Sequence, residues 1–261
     1  EHPLPSQSAP ASLIHGQRWG LYPDLNSSGS VQMGLDRWML SQLSEEQPVL
    51  LRFYQWQQPT LSLGHHQGPL PNSAGLDVPV VRRPTGGAAV LHGGDLCYAI
   101  ALAQPPRGQR RAYRLLNQWL QAGFAHLGSA LIDGNSEQQR GQQNCFGQAT
   151  EADLVDPLGI KRIGSAQLWQ RGRLLQHGSI PLQPPAELWQ QLFNEPAPPA
   201  LPEAFSPNRL RQVLVQLAEQ WLLGSKPNQL AWPEEPERLA AITSGKAATV
   251  SATGPSDKPK G

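Results

Sequence analysis

Of the two cysteines in the chain, Cys97 and Cys145, the second sits where a thiol could react. Cys145 lies in Asn144-Cys145-Phe146-Gly147, directly after the Gln-rich stretch from Ser136 to Gln143, a polar setting expected of a loop-to-strand junction. Lys161 follows 16 residues later, beyond the turn-like Asp156-Pro157-Leu158-Gly159. A hairpin over that turn would fold the lysine back toward the cysteine. An ammonium beside a thiol favours the thiolate, which is the nucleophilic form. Spacing alone also fits a half-buried cysteine beside an edge-strand lysine, and from composition that is the simpler reading.

Two glycine-bearing patterns offer binding chemistry. Arg82-Arg83-Pro84-Thr85-Gly86-Gly87 follows an apolar run, so two guanidinium groups meet a turn whose backbone N–H groups can approach a ligand closely. This is an anion or carbonyl cradle, or a surface hairpin with adjacent arginines. His92 and His177 each stand beside glycine, in Leu91-His92-Gly93 and Gln176-His177-Gly178-Ser179. Each suits a structural or ligand-wall role better than that of a general base. The adjacent His65 and His66 have no Cys or His at zinc-like spacing, and the cysteines form no CxxC array, so no metal site is expected.

The elements that must position these residues are legible in outline. Val31, Leu35, Trp38 and Met39 recur near a period of 3.6 and predict a helix from about Ser30 to Gln42. Val49 to Tyr54 and Thr60 to Gly64, separated by Gln57-Gln58-Pro59, read as a hairpin. Val78 to Arg82 reads as a strand, and Ala88 to Leu91 with Leu96 to Leu102 as a strand pair around His92-Gly93-Gly94-Asp95. Arg111 to Leu127 is an amphipathic helix closed by Gly128. Leu154 to Gln167 and Leu174 to Leu182 are strands around tight turns, the second turn at Gln170-Arg171-Gly172-Arg173. Helices over Pro185 to Phe193 and Pro207 to Leu223, joined by the Pro-rich segment Pro196 to Pro202, are expected to end the ordered part.

The chain of 261 residues is 39% apolar and 16% charged, with a formal net charge of +1. Neither a nucleic-acid-binding footprint nor a disordered polyelectrolyte is indicated. No stretch approaches a membrane-spanning length, and the Pro- and Ser-rich start lacks the features of a signal peptide. The expectation is a cytoplasmic protein with free thiols, not bound to membrane. Its organisation is expected to be a disordered leader over 1–12, one catalytic domain over 13–243 and a disordered tail over 244–261. The fold class is α+β, a mixed, largely antiparallel sheet flanked by helices.

Three segments together resemble the lipoate-protein ligase and octanoyltransferase family: Arg82 to His92, Gly159-Ile160-Lys161-Arg162-Ile163-Gly164-Ser165-Ala166-Gln167, and Leu175-Gln176-His177-Gly178-Ser179-Ile180. The likeness extends to Met33-Gly34-Leu35-Asp36 and Arg52-Phe53-Tyr54-Gln55-Trp56, and covers roughly Arg18 to Leu192. It implies a fold similar to the catalytic domain of biotin ligases and class II tRNA synthetases, with Lys161 reaching the acyl carbonyl. It also implies an acyl-binding wall of Arg83, Thr85, Gly86, Gly87, Ala88, Ala89, Val90, Leu91 and His92, with Gly164, Ser165, Ala166, His177, Gly178 and Ser179 opposite. One octanoyltransferase branch of the family places Cys-Phe upstream of the lysine, as Cys145-Phe146 stands here.

The implied activity is therefore transfer of an octanoyl or lipoyl group from acyl carrier protein, through a Cys145 thioester, to a lysine of a lipoyl domain of the 2-oxoacid dehydrogenases or of glycine-cleavage H protein. This needs no cofactor, and the enzyme is expected to be a monomer. The runner-up is an ATP- and Mg-dependent lipoate-protein ligase acting through acyl-AMP. A third reading is a non-catalytic module that binds lipoyl domains or carrier protein. A transferase moving the group between lipoyl proteins would use the same chemistry. Backbone N–H groups at Gly164-Ser165-Ala166 or at Gly86-Gly87 are the candidate oxyanion donors. Two departures stand out: Ala88 replaces a third glycine of the ligases, and the Cys145 to Lys161 interval is one residue longer than in the cysteine-dependent branch.

Overall fold

The structure is a computed structural model, and it describes residues 14–243 except 74, 135–149 and 151. The leader over 1–12, the tail over 244–261 and Cys145 lie outside the described residues.

Alternating side chains build the main sheet. Its strands are β1 (Trp19–Leu21), β2 (Leu25–Ser27), β3 (Val49–Trp56), β7 (Asp95–Leu102), β8 (Ile132–Asp133), β9 (Asp153–Val155), β10 (Lys161–Gln170), β11 (Arg173–Pro181) and β12 (Asn228–Gln229). They lie in the order β12-β1-β3-β7-β11-β10-β9-β8, with β2 beside β3. A second sheet has the order β5-β4-β6, from β4 (Thr60–Leu63), β5 (Val80–Arg82) and β6 (Val90–His92). In the main sheet β3, β7, β11, β10 and β9 pair antiparallel, so the expected α+β class with a largely antiparallel sheet is what the chain adopts.

On β7 the period of two sorts residues between two cores. Leu96, Tyr98, Ile100 and Leu102 face one core, shared with α2 (Gln109–His126) and α4 (Pro207–Leu217). Cys97, Ala99 and Ala101 face the other, shared with α1 (Gly29–Ser41) and α5 (Pro236–Thr243). The second sheet packs Leu61, Leu63, Ala89 and Leu91 against Trp189 and Leu192 of α3 (Ala186–Phe193).

Three expectations are corrected. First, β3 and β4 form no hairpin. Both edges of β3 are already taken, by β1 and β2 on one side and β7 on the other, so β4 starts the second sheet. Second, β6 and β7 do not pair with each other. The turn between them carries the chain from one sheet to the other, with Gly93 and Gly94 at positive φ (134° and 71°). Third, the ordered part continues past Leu223. α4 passes into a π turn over Ala218–Leu222, β12 then pairs parallel with β1, and α5 lies on α1. That last contact is close: a Cβ on Gly34 would lie 2.7 Å from the Ala240 carbonyl oxygen. The β10–β11 hairpin forms as expected, its turn using positive φ at Arg171 and Gly172.

Candidate active site

A cavity of about 490 Å³ opens where the two sheets meet. Its size falls within the roughly 300–1,000 Å³ of small-molecule sites. The family-implied residues largely converge on it: Arg83, the run Gly86 to Val90, His92, Lys161, Gly164, Ser165, Ala166, His177, Gly178 and Ser179 line the wall. Thr85 and Leu91 stand behind it. Thr85 is bonded to His177, and Leu91 is packed into the core of the second sheet.

Lys161 opens β10 after the Asp156-to-Gly159 turn, in a hairpin with β9 that shifts register between Lys161 and Ile163. Its Nζ lies 2.9 Å from Asp153 Oδ1, with both side chains largely buried. The other carboxylate oxygen of Asp153 accepts hydrogen bonds from Thr150 N–H (2.7 Å) and Thr150 Oγ1 (3.1 Å). The cation is thus held against the cavity wall by an acid that is itself fixed on both oxygens. Cys145, the expected partner of Lys161, falls outside the described residues, while Thr150 and Ala152 just after its segment line the cavity.

The glycine loop is shaped by its own arginines. Arg83 donates to the carbonyls of Ser62 (3.0 Å), Gly86 (2.8 Å) and Ala88 (2.7 Å), and Arg82 Nη1 to those of Gly64 and Gln67, both at 2.7 Å. The Arg83 bonds bend the glycine loop along the cavity, and the Arg82 bonds hold the neighbouring turn from Gly64 to Gln67. Gly87 sits at φ 93°, and a Cβ on Gly64 would come within 1.9 Å of the Gly87 carbonyl oxygen. On the opposite wall Gly178 has no room for a side chain either, because its Cβ would meet the Tyr98 ring at 2.5 Å.

Each histidine joins a carboxylate to a hydroxyl. His177 Nδ1 lies 2.6 Å from Asp36 Oδ2, and its Nε2 lies 2.7 Å from Thr85 Oγ1. His92 Nδ1 lies 2.7 Å from Asp95 Oδ2, and its Nε2 lies 2.9 Å from Ser62 Oγ. The Trp56 ring stacks on His92 at 4.0 Å. Both imidazoles are thus fixed in tautomer and orientation, as wall-forming residues require. The His92 relay ties the main sheet to the second one, and the His177 relay ties α1 and the main sheet to the glycine loop.

Asp36 is bound further by Arg52 through Nε (3.0 Å) and Nη2 (2.5 Å), and by the Tyr54 hydroxyl (3.2 Å). Burial pushes the Asp36 carboxyl up, but the Arg52 charge and the His177 contact outweigh it and hold the pKa below the usual carboxylate value. Asp95 follows the same pattern: burial pushes its carboxyl up, and the contacts with His92, Ser179 Oγ and the Gly93 N–H outweigh it. Burial first, and Asp95 second, push the Cys97 thiol well above its ordinary value, so this cysteine is an inert core residue. Burial also pushes Tyr98 up to about 12, and its hydroxyl contacts Ser165 Oγ (2.9 Å) and Gln176 Nε2 (2.8 Å).

His92, Asp95 and Cys97 bring three ligand-type atoms within 4.8 Å of one another. Their contacts of 2.7 and 3.1 Å to the Asp95 oxygen have hydrogen-bond geometry. Two atoms bound to one zinc ion at about 2.0–2.3 Å would stand further apart. Of the two backbone sets proposed as oxyanion donors, the Ser165 N–H is bonded to the Ala152 carbonyl at 3.2 Å.

Several cavity residues escaped the sequence reading: Met33, Tyr54, Ser62, Gln109, Tyr113 and Asp153. Arg52 carried a usable signal, because it is a lone charge within the apolar run Val49 to Tyr54, and a charge on a buried strand needs a partner. Asp153 carried none, being one of three acids in Glu151-to-Asp156 with nothing in the spacing to single it out.

Residues 28–219 match the model of the lipoyl protein ligase A/B catalytic domain. The chain is 34% identical to the octanoyltransferase LipM of Oceanobacillus iheyensis, over 69% of this chain and 70% of the relative. Among solved structures, it superimposes with TM-score 0.73 and 17% identity on protein Ta0514 of T. acidophilum with bound lipoic acid, covering 87% of this chain and 94% of that one. It superimposes with TM-score 0.69 and 18% identity on the bi-partite lipoate protein ligase of Thermoplasma acidophilum studied with its E2 lipoyl domain, covering 86% and 91%. No helix among the described residues is long and apolar enough to cross a membrane. The segments Arg82 to His92, Gly159 to Gln167 and Leu175 to Ile180 therefore form one site, on a matched domain spanning most of the sequence, and the chain belongs to the lipoyl protein ligase A/B catalytic-domain family.

Proposed function

We propose that this protein is an octanoyltransferase that carries an octanoyl group from an acyl carrier protein, through a Cys145 thioester, to a lysine of a lipoyl domain or of glycine-cleavage H protein. The observation that carries this reading is Lys161, held by Asp153 at the wall of a cavity whose other side is the glycine loop. The 34% identity to an octanoyltransferase supports transfer in preference to ATP-dependent ligation. Thr150, five residues after Cys145, is bonded to that same Asp153. Five residues span at most about 18 Å, which bounds how far Cys145 can lie from Thr150.

In the first step the Cys145 thiolate, stabilised by the Lys161 ammonium, attacks the carbonyl carbon of the octanoyl thioester. The carrier thiolate leaves with the bonding pair and takes up a proton. In the second step the neutral amine of the acceptor lysine attacks the Cys145 thioester, the amide forms and the cysteine thiol is released. Lys161 is the group placed to exchange the protons. The reaction balances without ATP or a metal ion, and a cytoplasmic setting, where carrier and acceptor proteins meet, belongs to the same proposal.

The discriminating experiment incubates the protein and a lipoyl domain with octanoyl carrier protein, and separately with octanoate, ATP and Mg²⁺. Octanoylated acceptor is expected in the first mixture only; pyrophosphate and acceptor modification in the second would establish a ligase instead. Lys161→Met should lower the rate of transfer from carrier protein by about 10²- to 10⁴-fold, the range for losing a positioned acid–base group.

A further inference from the structure

The start of α2 is built against its own helix electrostatics. Arg107, Arg110, Arg111 and Arg114 are all exposed, and the first turn holds no acid. A helix N-terminus carries partial positive charge, so arginines there are unfavourable, and Arg110–Arg114 and Arg111–Arg114 add like-charge pairs at helical spacing. A chain of net charge +1 has therefore concentrated cations where local stability disfavours them, the kind of conflict found at functional surfaces.

The same turn forms part of the rim of the active site, together with the exposed Gly86, Gly87, Ala88 and Thr150. Gln109 is exposed and also lines the cavity, and Tyr113, one helical turn on, lines it from inside. Whatever docks on the four arginines is thereby set beside the entrance. An acyl chain that arrives attached to its carrier must enter past this rim while the carrier stays outside. The acceptor lysine has only to reach the acyl carbonyl.

We infer that Arg107, Arg110, Arg111 and Arg114 form the docking surface for the acyl donor, a carrier protein with an acidic face, and that they orient its acyl arm into the cavity beside Gln109 and Tyr113. The occupant assigned rests on the transferase reading; the basic surface itself does not. Rim charges of this kind act mainly through encounter rate and salt dependence.

The test is the triple variant Arg110→Glu, Arg111→Glu, Arg114→Glu in the full chain. Glutamates at 110 and 111, in the first turn, favour the helix dipole, while the like-charge pairs with position 114 only change sign, so melting temperature should hold or rise, which separates docking from folding. Calorimetric titration with a carrier protein bearing octanoyl on a non-transferable amide should show Kd at least about tenfold weaker and less steeply dependent on salt. Transfer from a small octanoyl thioester, and affinity for the lipoyl domain, should stay within about twofold of the parent. Unchanged carrier affinity would overturn the proposal. A selective loss of lipoyl-domain affinity would overturn it too, by giving the surface to the acceptor. Because binding is read without turnover, failure of the transferase reading shows separately, as absence of transfer in the parent protein.

Discussion

The side chain whose removal should cost this fold most is Asp36. Its carboxylate is fully buried and bonds Arg52 through two nitrogens, His177 Nδ1 and the Tyr54 hydroxyl. Asp36→Asn keeps the volume and removes the charge, leaving the fully buried Arg52 guanidinium without its counter-ion. Breaking one side of a buried pair costs about 3–5 kcal/mol, against total stabilities of roughly 5–15 kcal/mol. For a domain of this size that lowers the melting temperature by roughly 6–20 °C. The assay is urea unfolding followed by tryptophan fluorescence, with Asp24→Asn as the surface control. Asp24 pairs with Arg211 but is half exposed, so its loss should cost at most about 1 kcal/mol. The pKa of Asp36 is lowered in the folded state, so its stabilisation is complete above the unfolded carboxylate pKa of about 3.9 and is lost as pH falls through the lower folded value. The gap between parent and Asp36→Asn should accordingly narrow below about pH 4. A loss under about 1 kcal/mol at pH 7, or a gap that widens in acid, would refute the reasoning.

Two further outcomes follow from the site. Gly64→Ala would place its Cβ 1.9 Å from the Gly87 carbonyl oxygen, so the glycine loop must shift; kcat/KM for the acyl donor should fall about 100-fold, as displacement of a positioned wall by an ångström can do. Near-parent kinetics would mean that the loop does not set the acyl position. Cys97, buried and with its thiol pKa raised, should resist iodoacetamide at pH 8 in the native protein and react after unfolding; peptide mass spectrometry reads this directly, and native labelling would contradict the closed core.

How much of this was legible in the sequence depended on whether the signal was local. The 3.6 period of Val31, Leu35, Trp38 and Met39 located α1, and Arg171-Gly172 located the β10–β11 turn, because helix faces and tight turns are set by near neighbours. The pairing of β3 was not legible. Its best-looking neighbour in sequence, β4, is excluded by β2, a strand of three residues too short to leave a pattern. α5, only eight residues long, was missed for a related reason: its place is fixed by contact with α1 at Gly34, some two hundred residues earlier. At the site, the wall residues came from the family likeness. Asp153 meets Lys161 across the β9–β10 pair, and the two hydroxyl–imidazole–carboxylate relays join residues from a helix, a loop and both sheets, which no one-dimensional spacing encodes.

The proposed transfer requires a covalent acyl-enzyme at Cys145. Intact-mass analysis after mixing the protein with octanoyl carrier protein, in the absence of acceptor, tests it most directly. A single added octanoyl group is expected, placed on Cys145 by peptide mapping, absent in Cys145→Ala and discharged when a lipoyl domain is added. Full transfer by Cys145→Ala, or octanoylation of the acceptor that requires ATP and leaves Cys145 unmodified, would contradict it.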